Sequence, residues 1–293
     1  MPPPDSLTLE LLTWDVTPGP TTPRACTQAI IDEVTASWDT GADLVLLPEF
    51  TWMTLEPLLP KSDSPLHTLS SLFWDHELPF LSRALSRPDK AVVLGTCPFL
   101  DTATNLCYNR APILRTGDLL HQDKLHLTPW EKDFTPGTTV NLFTFKSFTI
   151  AVIVCLDIEV PELSVLLRGQ GVDLILCPSA TETELGTERV DRCASARAVE
   201  LGCHVAVSHL LGKSPSNLID HNVGRLALYH PSQVPFSKAP RWHETPIEST
   251  GLHRLRTTLD SRPLKRMRAR TAETNPSLLS IQKTTPYKAI SLT

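Results

Sequence analysis

Cys155 ends the apolar run Phe148-Thr-Ile-Ala-Val-Ile-Val-Cys and is followed at once by Leu-Asp-Ile-Glu-Val-Pro-Glu-Leu. A strand that stops at a thiol and turns directly into a helix holds sulfur at the edge of an element, a place suited to a nucleophile. The same layout suits a buried cysteine closing a core strand, because free Cys is among the most buried residue types. Two upstream segments give Cys155 company. Gly41-Ala-Asp-Leu-Val-Leu-Leu-Pro-Glu-Phe runs through apolar Leu44 to Leu47 to reach Pro48 and Glu49, and the stretch from His121 carries Lys124 and then Glu131. Strand ends presenting Glu, Lys and Cys can converge on one edge of a sheet. Taken singly, each has an ordinary alternative: Glu49 as a helix cap, Lys124 as a surface lysine, Glu131 as the partner of a cation near Lys132.

In this order the segments resemble the nitrilase superfamily, the carbon–nitrogen hydrolases with a Glu-Lys-Cys triad. The resemblance rests on Leu47-Pro-Glu-Phe50, on Lys124-Leu-His-Leu-Thr-Pro-Trp-Glu131 with Phe134 and Gly137 beyond it, and on Cys155-Leu-Asp-Ile-Glu-Val-Pro-Glu162. Weaker agreement continues through Gly171 to Ser179 and Ala196 to Glu200, so that about residues 7 to 230 are covered. The variant Ile158-Glu-Val-Pro-Glu-Leu163 is similar to a branch sometimes fused to an acetyltransferase domain, which this sequence is expected to lack.

The resemblance implies hydrolysis of a small linear amide through a cysteine thioester, without cofactor or metal. Cys155 would be the nucleophile, Glu49 the general base and acid, and Lys124 with the Leu156 N–H the groups facing the oxyanion, with Glu131 in support. A neighbouring ammonium and a helix N-terminus both lower a thiol pKa, so Lys124 and the turn after Cys155 are expected to favour the thiolate, with Glu49 taking the thiol proton. A nitrile or N-carbamoyl substrate, acyl transfer to an amine, and a catalytically silent binding module are the alternatives. Many relatives carry an aromatic residue after the nucleophile and a carboxylate-binding Arg beyond it; here those positions are Leu156 and Glu159. Glu159 and Glu182, with Glu184, are therefore expected at a negative pocket mouth that favours neutral or amine-bearing amides. The competing expectation pairs Glu159 with Arg168 or Arg192.

Composition narrows the partners. The chain has 293 residues, 41% of them hydrophobic, enough for one α/β domain with a large core, and its formal net charge of -5 argues against a nucleic-acid surface. The N-terminus lacks a secretory h-region and no apolar run approaches the roughly 20 residues of a membrane span, so a cytoplasmic protein with a small-molecule partner and no membrane partner is expected. Seven cysteines without a Cys-x-x-Cys pair fit neither a zinc ribbon nor a disulfide framework. The pairs His121/His126 and His204/His209 miss the i, i+4 spacing of helical metal ligands. Cys177 also ends a strand, but no matched base is near it in sequence, and a structural role is expected.

Strands are expected at Thr8 to Val16, Leu44 to Leu47, Ala91 to Thr96, Cys107 to Leu114, Asn141 to Phe145, Thr149 to Cys155, Leu174 to Cys177, His204 to Ser208 and Arg225 to Tyr229. Helices are expected at Thr27 to Trp38, Leu66 to Ser86, Val160 to Arg168 and Thr187 to Leu201. This alternation gives a layered α/β fold with the reactive groups at strand ends. The resemblance sharpens it to a four-layer αββα sandwich whose members commonly form homodimers or higher homo-oligomers. The domain is expected over residues 7–260, with a basic and partly flexible C-terminal extension over 261–293 whose run Arg262 to Arg270 reads as a solvated helix face.

Overall fold

The computed structural model describes residues 5–62, 64–216, 218–238 and 240–269, and the expected tail after Thr271 lies outside them. Strands Leu44–Leu47 and Ala91–Leu94 are apolar at every position because both of their faces are covered. Leu44, Leu46 and Val93 join a cluster with Ile150, Val152 and Leu174, whereas Val45, Leu47, Val92 and Leu94 pack with Ile30, Val34 and Trp38 of helix Pro23–Asp39. Alternate side chains of one strand therefore reach a second sheet on one side and a helix on the other.

The first sheet runs in the order Arg254–Asp260, Ser6–Leu12, Leu44–Leu47, Ala91–Leu94, Leu106–Arg115, Cys97–Asp101, with Asp118–Asp123 also on Leu106–Arg115. The second runs Trp242–Glu244, Leu226–Tyr229, His204–Lys213, Leu174–Ser179, Phe148–Val152, Leu142–Phe145. Helix Glu184–Leu201 covers its outer face with Val190, Ala194, Ala198 and Leu201, the spacing expected from sequence. Helix, sheet, sheet and helix make the four layers of the αββα sandwich.

The single strand expected over Thr8 to Val16 is divided between the sheets. Ser6–Leu12 belongs to the first, and Trp14–Asp15 pairs in parallel with Leu210 and Leu211 of the second. Buried Thr13 occupies the crossing, its hydroxyl donating to the Gly251 carbonyl at 3.0 Å, and the Ser208 hydroxyl ties the sheets together on the Leu12 carbonyl. The helix expected over Leu66 to Ser86 also divides, into Pro65–Ser71, a wider π turn Leu72–Glu77, and Leu78–Ala84, where Pro79 offers no N–H to continue the ladder. Strands Cys97–Asp101, Asp118–Asp123 and Arg254–Asp260 were not expected; they lie at the margins of the first sheet, where exposed polar residues weaken the apolar pattern.

The boundary expected at 260 falls on a helix cap. Asp260 accepts from the Arg262 N–H at 2.9 Å, and helix Ser261–Arg268 buries Leu264 and Met267 in the cluster that lies between the sheets. Its basic residues are matched by acids of the domain, Lys265 with Asp5 at 2.7 Å and Arg268 with Asp173 at 2.6 Å.

His204 and His230 share an Nδ1···Nδ1 hydrogen bond of 2.9 Å, which requires a lone pair on one of the two rings. Burial holds both well below the ordinary histidine value, with the charges of His230 and Arg268 adding to the effect at His204 and that of His243 at His230. The native state thus keeps the proton-free form while the unfolded chain takes up protons below about pH 6.5. Stability from this pair should be complete above that pH and fall as the solution is acidified. A urea titration series from pH 7.5 to 4.5 should show the midpoint dropping, and His204→Gln should flatten that slope; a parallel slope in the variant would assign the acid sensitivity elsewhere.

Candidate active site

Each chemical group sits where a strand ends, and the two sheets contribute opposite halves. From the first sheet, Leu44–Leu47 delivers Glu49 through Pro48, and Phe50 then adopts a left-handed φ of 57°. The turn is confined: a Cβ on Gly95, itself at φ 71°, would come within 2.2 Å of the Pro48 carbonyl oxygen. Lys124 follows Asp118–Asp123 and is fixed by its own backbone, its N–H donating to Asn109 at 2.9 Å and its carbonyl accepting from Gly137 at 2.7 Å. From the second sheet, Phe148–Val152 leads to Cys155 at φ 47° and into the 3₁₀ turn Cys155–Glu159. A non-glycine residue in that region costs about 1–2 kcal/mol, so packing must hold both corners in place.

The Lys124 ammonium bridges two carboxylates, donating to Glu49 Oε1 at 2.8 Å and to Glu131 Oε2 at 2.7 Å, and all three side chains are at most 2% exposed. Glu131 also accepts from the N–H and hydroxyl of Thr128 at 2.9 and 3.0 Å. Its partner is therefore Lys124, and the surface-pair alternative near Lys132 does not hold. Glu49 Oε2 accepts from the Ala180 N–H at 3.1 Å, while the Cys155 thiol donates to the Ala180 carbonyl at 3.5 Å, so carboxylate and thiol meet across the residue that follows strand Leu174–Ser179.

Burial pushes Glu49 up, to about 7, with Lys124 opposing the shift and Glu131 adding to it. Burial pulls Lys124 down, but Glu49, Cys155 and Glu131 outweigh it and leave the ammonium raised. Burial also pushes the Cys155 thiol well above its ordinary value, with Glu49 adding to this and Lys124 only partly opposing it. Lys124 was expected to favour the thiolate, and it does pull the thiol in that direction, but desolvation and the adjacent carboxylate exceed its pull. Cys177, fully buried on Leu174–Ser179, is pushed up to about 12 by burial.

These groups form the floor of a pocket of about 220 Å³. Its walls include Leu156, Thr181 and Asn222, and its mouth holds Glu159, Glu182, Arg189 and Trp130. Glu159 pairs with Arg189 Nε at 2.7 Å rather than with Arg168 or Arg192, so the mouth carries a cation that the sequence reading omitted. Thr183 caps helix Glu184–Leu201 through the Gly186 N–H at 3.1 Å and fixes the start of the helix that presents Arg189.

Three further residues escaped the sequence reading. Asn109, fully buried on Leu106–Arg115, donates through Nδ2 to Glu49 Oε1 and Glu131 Oε1, each at 3.0 Å. Asp157 accepts from the backbone N–H groups of Leu125 and His126 at 3.0 and 2.7 Å, tying the Lys124 loop to the Cys155–Glu159 turn. Trp130, 62% exposed, stands at the pocket mouth. Only a polar residue inside an otherwise buried strand could have marked Asn109; for the other two, sequence offers proximity to a motif and nothing more. Among the described residues, no group of three or more His, Cys, Asp or Glu side chains could hold a metal ion, and no helix is long and apolar enough to cross a membrane.

The fold and this constellation define a class. The carbon-nitrogen hydrolase family model matches residues 23–254, and the chain belongs to that family. It is 27% identical over 205 residues to a probable hydrolase, YhcX, of Bacillus subtilis, an alignment covering 68% of this chain and 40% of the relative. It is 28% identical over 182 residues to an (R)-stereoselective amidase of a Pseudomonas species, covering 60% of this chain and 62% of the relative. The chain thus spans less than two thirds of these relatives' lengths. Among solved structures, Saccharomyces cerevisiae Nit3, a member of branch 10 of the nitrilase superfamily, superposes with a TM-score of 0.69 at 22% identity, over 90% of this chain and 93% of that one.

Asp157→Ala should release the Lys124 loop from the Cys155 turn. The two lost backbone hydrogen bonds to a buried carboxylate are worth about 2–4 kcal/mol together. Hydrogen exchange at the Leu125 and His126 amides should accelerate while the strand Leu174–Ser179 stays protected; unchanged exchange at those amides would remove this tie from the account.

Proposed function

We propose that the protein is a thiol-dependent hydrolase of a small linear amide, acting through a Cys155 thioester. The observation that carries this reading is the buried Glu49–Lys124–Glu131 cluster beside a thiol held at a left-handed corner on the pocket floor. Glu49, with a pKa near neutrality, can accept a proton and return it within one cycle. The Cys155 S–H bond breaks, the proton passes to Glu49, and sulfur attacks the amide carbon. The oxyanion that forms is met by the Lys124 ammonium and the Leu156 N–H. As the intermediate collapses, the amine departs with the proton from Glu49. Water, deprotonated by Glu49, then cleaves the thioester and releases the acid. Glu131 holds Lys124 in place throughout.

Because the thiol is protonated at rest, proton transfer and attack are coupled to substrate arrival. The pocket volume of about 220 Å³ favours a compact acyl group. Glu159 and Glu182 meet the distal end of the substrate in this reading, with Glu159 half-neutralised by Arg189. Exposed Val165 and Leu166 on helix Pro161–Leu167, with exposed Leu185 on the neighbouring helix, support self-association of the chain.

Incubation with a panel of small amides and nitriles, followed by intact-mass spectrometry, should reveal an acyl adduct on Cys155 that is absent from Cys155→Ala and forms far more slowly in Glu49→Gln, which lacks the base. Cys155→Ala should lose turnover yet keep its thermal midpoint. Lys124→Arg should fail almost as completely as Lys124→Ala, since a planar fork cannot replace a compact ammonium between two carboxylates. Turnover retained in Cys155→Ala, or most of the rate restored by Arg at 124, would overturn the assignment.

The pH profile supplies an independent check. Glu49 must be ionised to take the thiol proton, and its raised pKa means that kcat/KM should fall as pH drops through about 7. A rate that stays level down to pH 5 would exclude Glu49 as the base.

A further inference from the structure

Every carboxylate has two oxygens, and the structure distinguishes those of Glu49. Oε1 accepts two N–H donors, from Lys124 at 2.8 Å and Asn109 at 3.0 Å, and cannot take a proton without breaking one of these bonds. Oε2 accepts the Ala180 N–H at 3.1 Å, belongs to the residue whose carbonyl receives the Cys155 thiol, and leaves Glu49 open to a hydrogen bond with Cys155 itself. Asn109 is committed to this arrangement. Both of its amide hydrogens go to glutamates, and its buried Oδ1 has no hydrogen-bond partner among the described residues. Turning the amide over would set that oxygen against two carboxylates, so the orientation is fixed by charge, and the orphaned oxygen is a cost the site tolerates.

We propose that Asn109 is a positioning residue that selects Oε2 of Glu49 as the oxygen exchanging protons with Cys155, by occupying Oε1 and holding Glu131 clear of it. The idea rests on the thiol hydrolase reading for its chemistry, although its geometry is independent of the substrate. The exchange is a simple proton transfer: the S–H bond breaks, an O–H bond forms on Oε2, and the electron pair stays on sulfur. The charged and titratable groups facing Glu49 are Lys124, Glu131, Cys155 and Cys177. Asn109 is the neutral donor among them, and its hydrogen bond to Glu49 favours the ionised form of that carboxylate. Without it Glu49 gains proton affinity, and either oxygen can carry the proton.

The test follows alkylation of Cys155 by iodoacetamide as a function of pH, read by intact mass and peptide mapping, in wild type, Asn109→Leu and the nearly isosteric Asn109→Asp. Peptide mapping matters because Cys193 is the one cysteine among the described residues that is not buried. Both variants should label Cys155 about fivefold more slowly at pH 7, with the midpoint moved upward by about one pH unit. Asn109→Asp, which keeps the shape of the side chain, remains informative if Asn109→Leu folds poorly. A merely structural role would lower thermal stability and leave the midpoint of folded Asn109→Leu where it was, whereas Asn109→Asp also adds a like charge beside Glu49; an unchanged midpoint in either folded variant would overturn the proposal. Where wild type turns over an amide, kcat should fall with little change in KM. A wild type that hydrolyses no amide, yet shows the shifted alkylation profile in both variants, would refute the hydrolase reading and leave the role of Asn109 standing.

Discussion

An ammonium held between two carboxylates, with all three groups out of contact with water, is the constraint around which this molecule is arranged. Lys124, Glu49 and Glu131 are each at most 2% exposed. Taking such charges out of water is expensive, and it is tolerated only where geometry and added hydrogen bonds satisfy every partner. Asn109, Thr128 and the Ala180 N–H supply those bonds. The groups come from different segments of chain, so the cluster can exist only when both sheets and the loop after Asp118–Asp123 are in place. That dependence couples the chemistry to the completed fold.

The sheets supply the rigidity this requires. Parallel strands buried on both faces have little freedom to shift, and their ends therefore aim Glu49 and Cys155 along fixed directions. Both ends carry backbone strain, at Phe50 and at Cys155, and both are braced. The Phe50 N–H donates to Thr96 at 2.8 Å, and Gly95 lets the neighbouring strand end approach the Pro48 carbonyl closely. On the other side, Arg197 donates to the Ile158 carbonyl at 3.1 Å and holds the turn that follows Cys155. The thiol stays protonated within this frame because the adjacent carboxylate and the dry surroundings outweigh Lys124.

The pocket mouth is built from other materials. Where the floor is made of strand ends shared between sheets, the mouth is made by helix Glu184–Leu201, the loop before it, and the loop bearing Trp130. Exposed side chains there change with little consequence for the core, and the Glu159–Arg189 pair shows how one acidic position is rebalanced by a residue far away in sequence. Pocket floor and pocket mouth thus lie in parts of the structure with different mechanical character.

The sequence by itself determined the parts whose signal is local. Apolar runs ending at Glu49 and Cys155, the spacing of Lys124 and Glu131, and the helical period of Val190, Ala194 and Ala198 are written along the chain, because strand burial and helix amphipathicity each follow a short period. Edge strands such as Arg254–Asp260 were not legible, since exposure removes the apolar pattern, and the crossing at Thr13 was not, since a strand that changes sheets keeps its local character. Tertiary structure alone decided that Asn109 bridges two glutamates, that Asp157 ties two loops together, that Arg189 answers Glu159, and that the thiol is held protonated. Each of these depends on distance and desolvation between residues remote in sequence, and electrostatic energy is set by separation and surroundings that no run of neighbouring residues specifies.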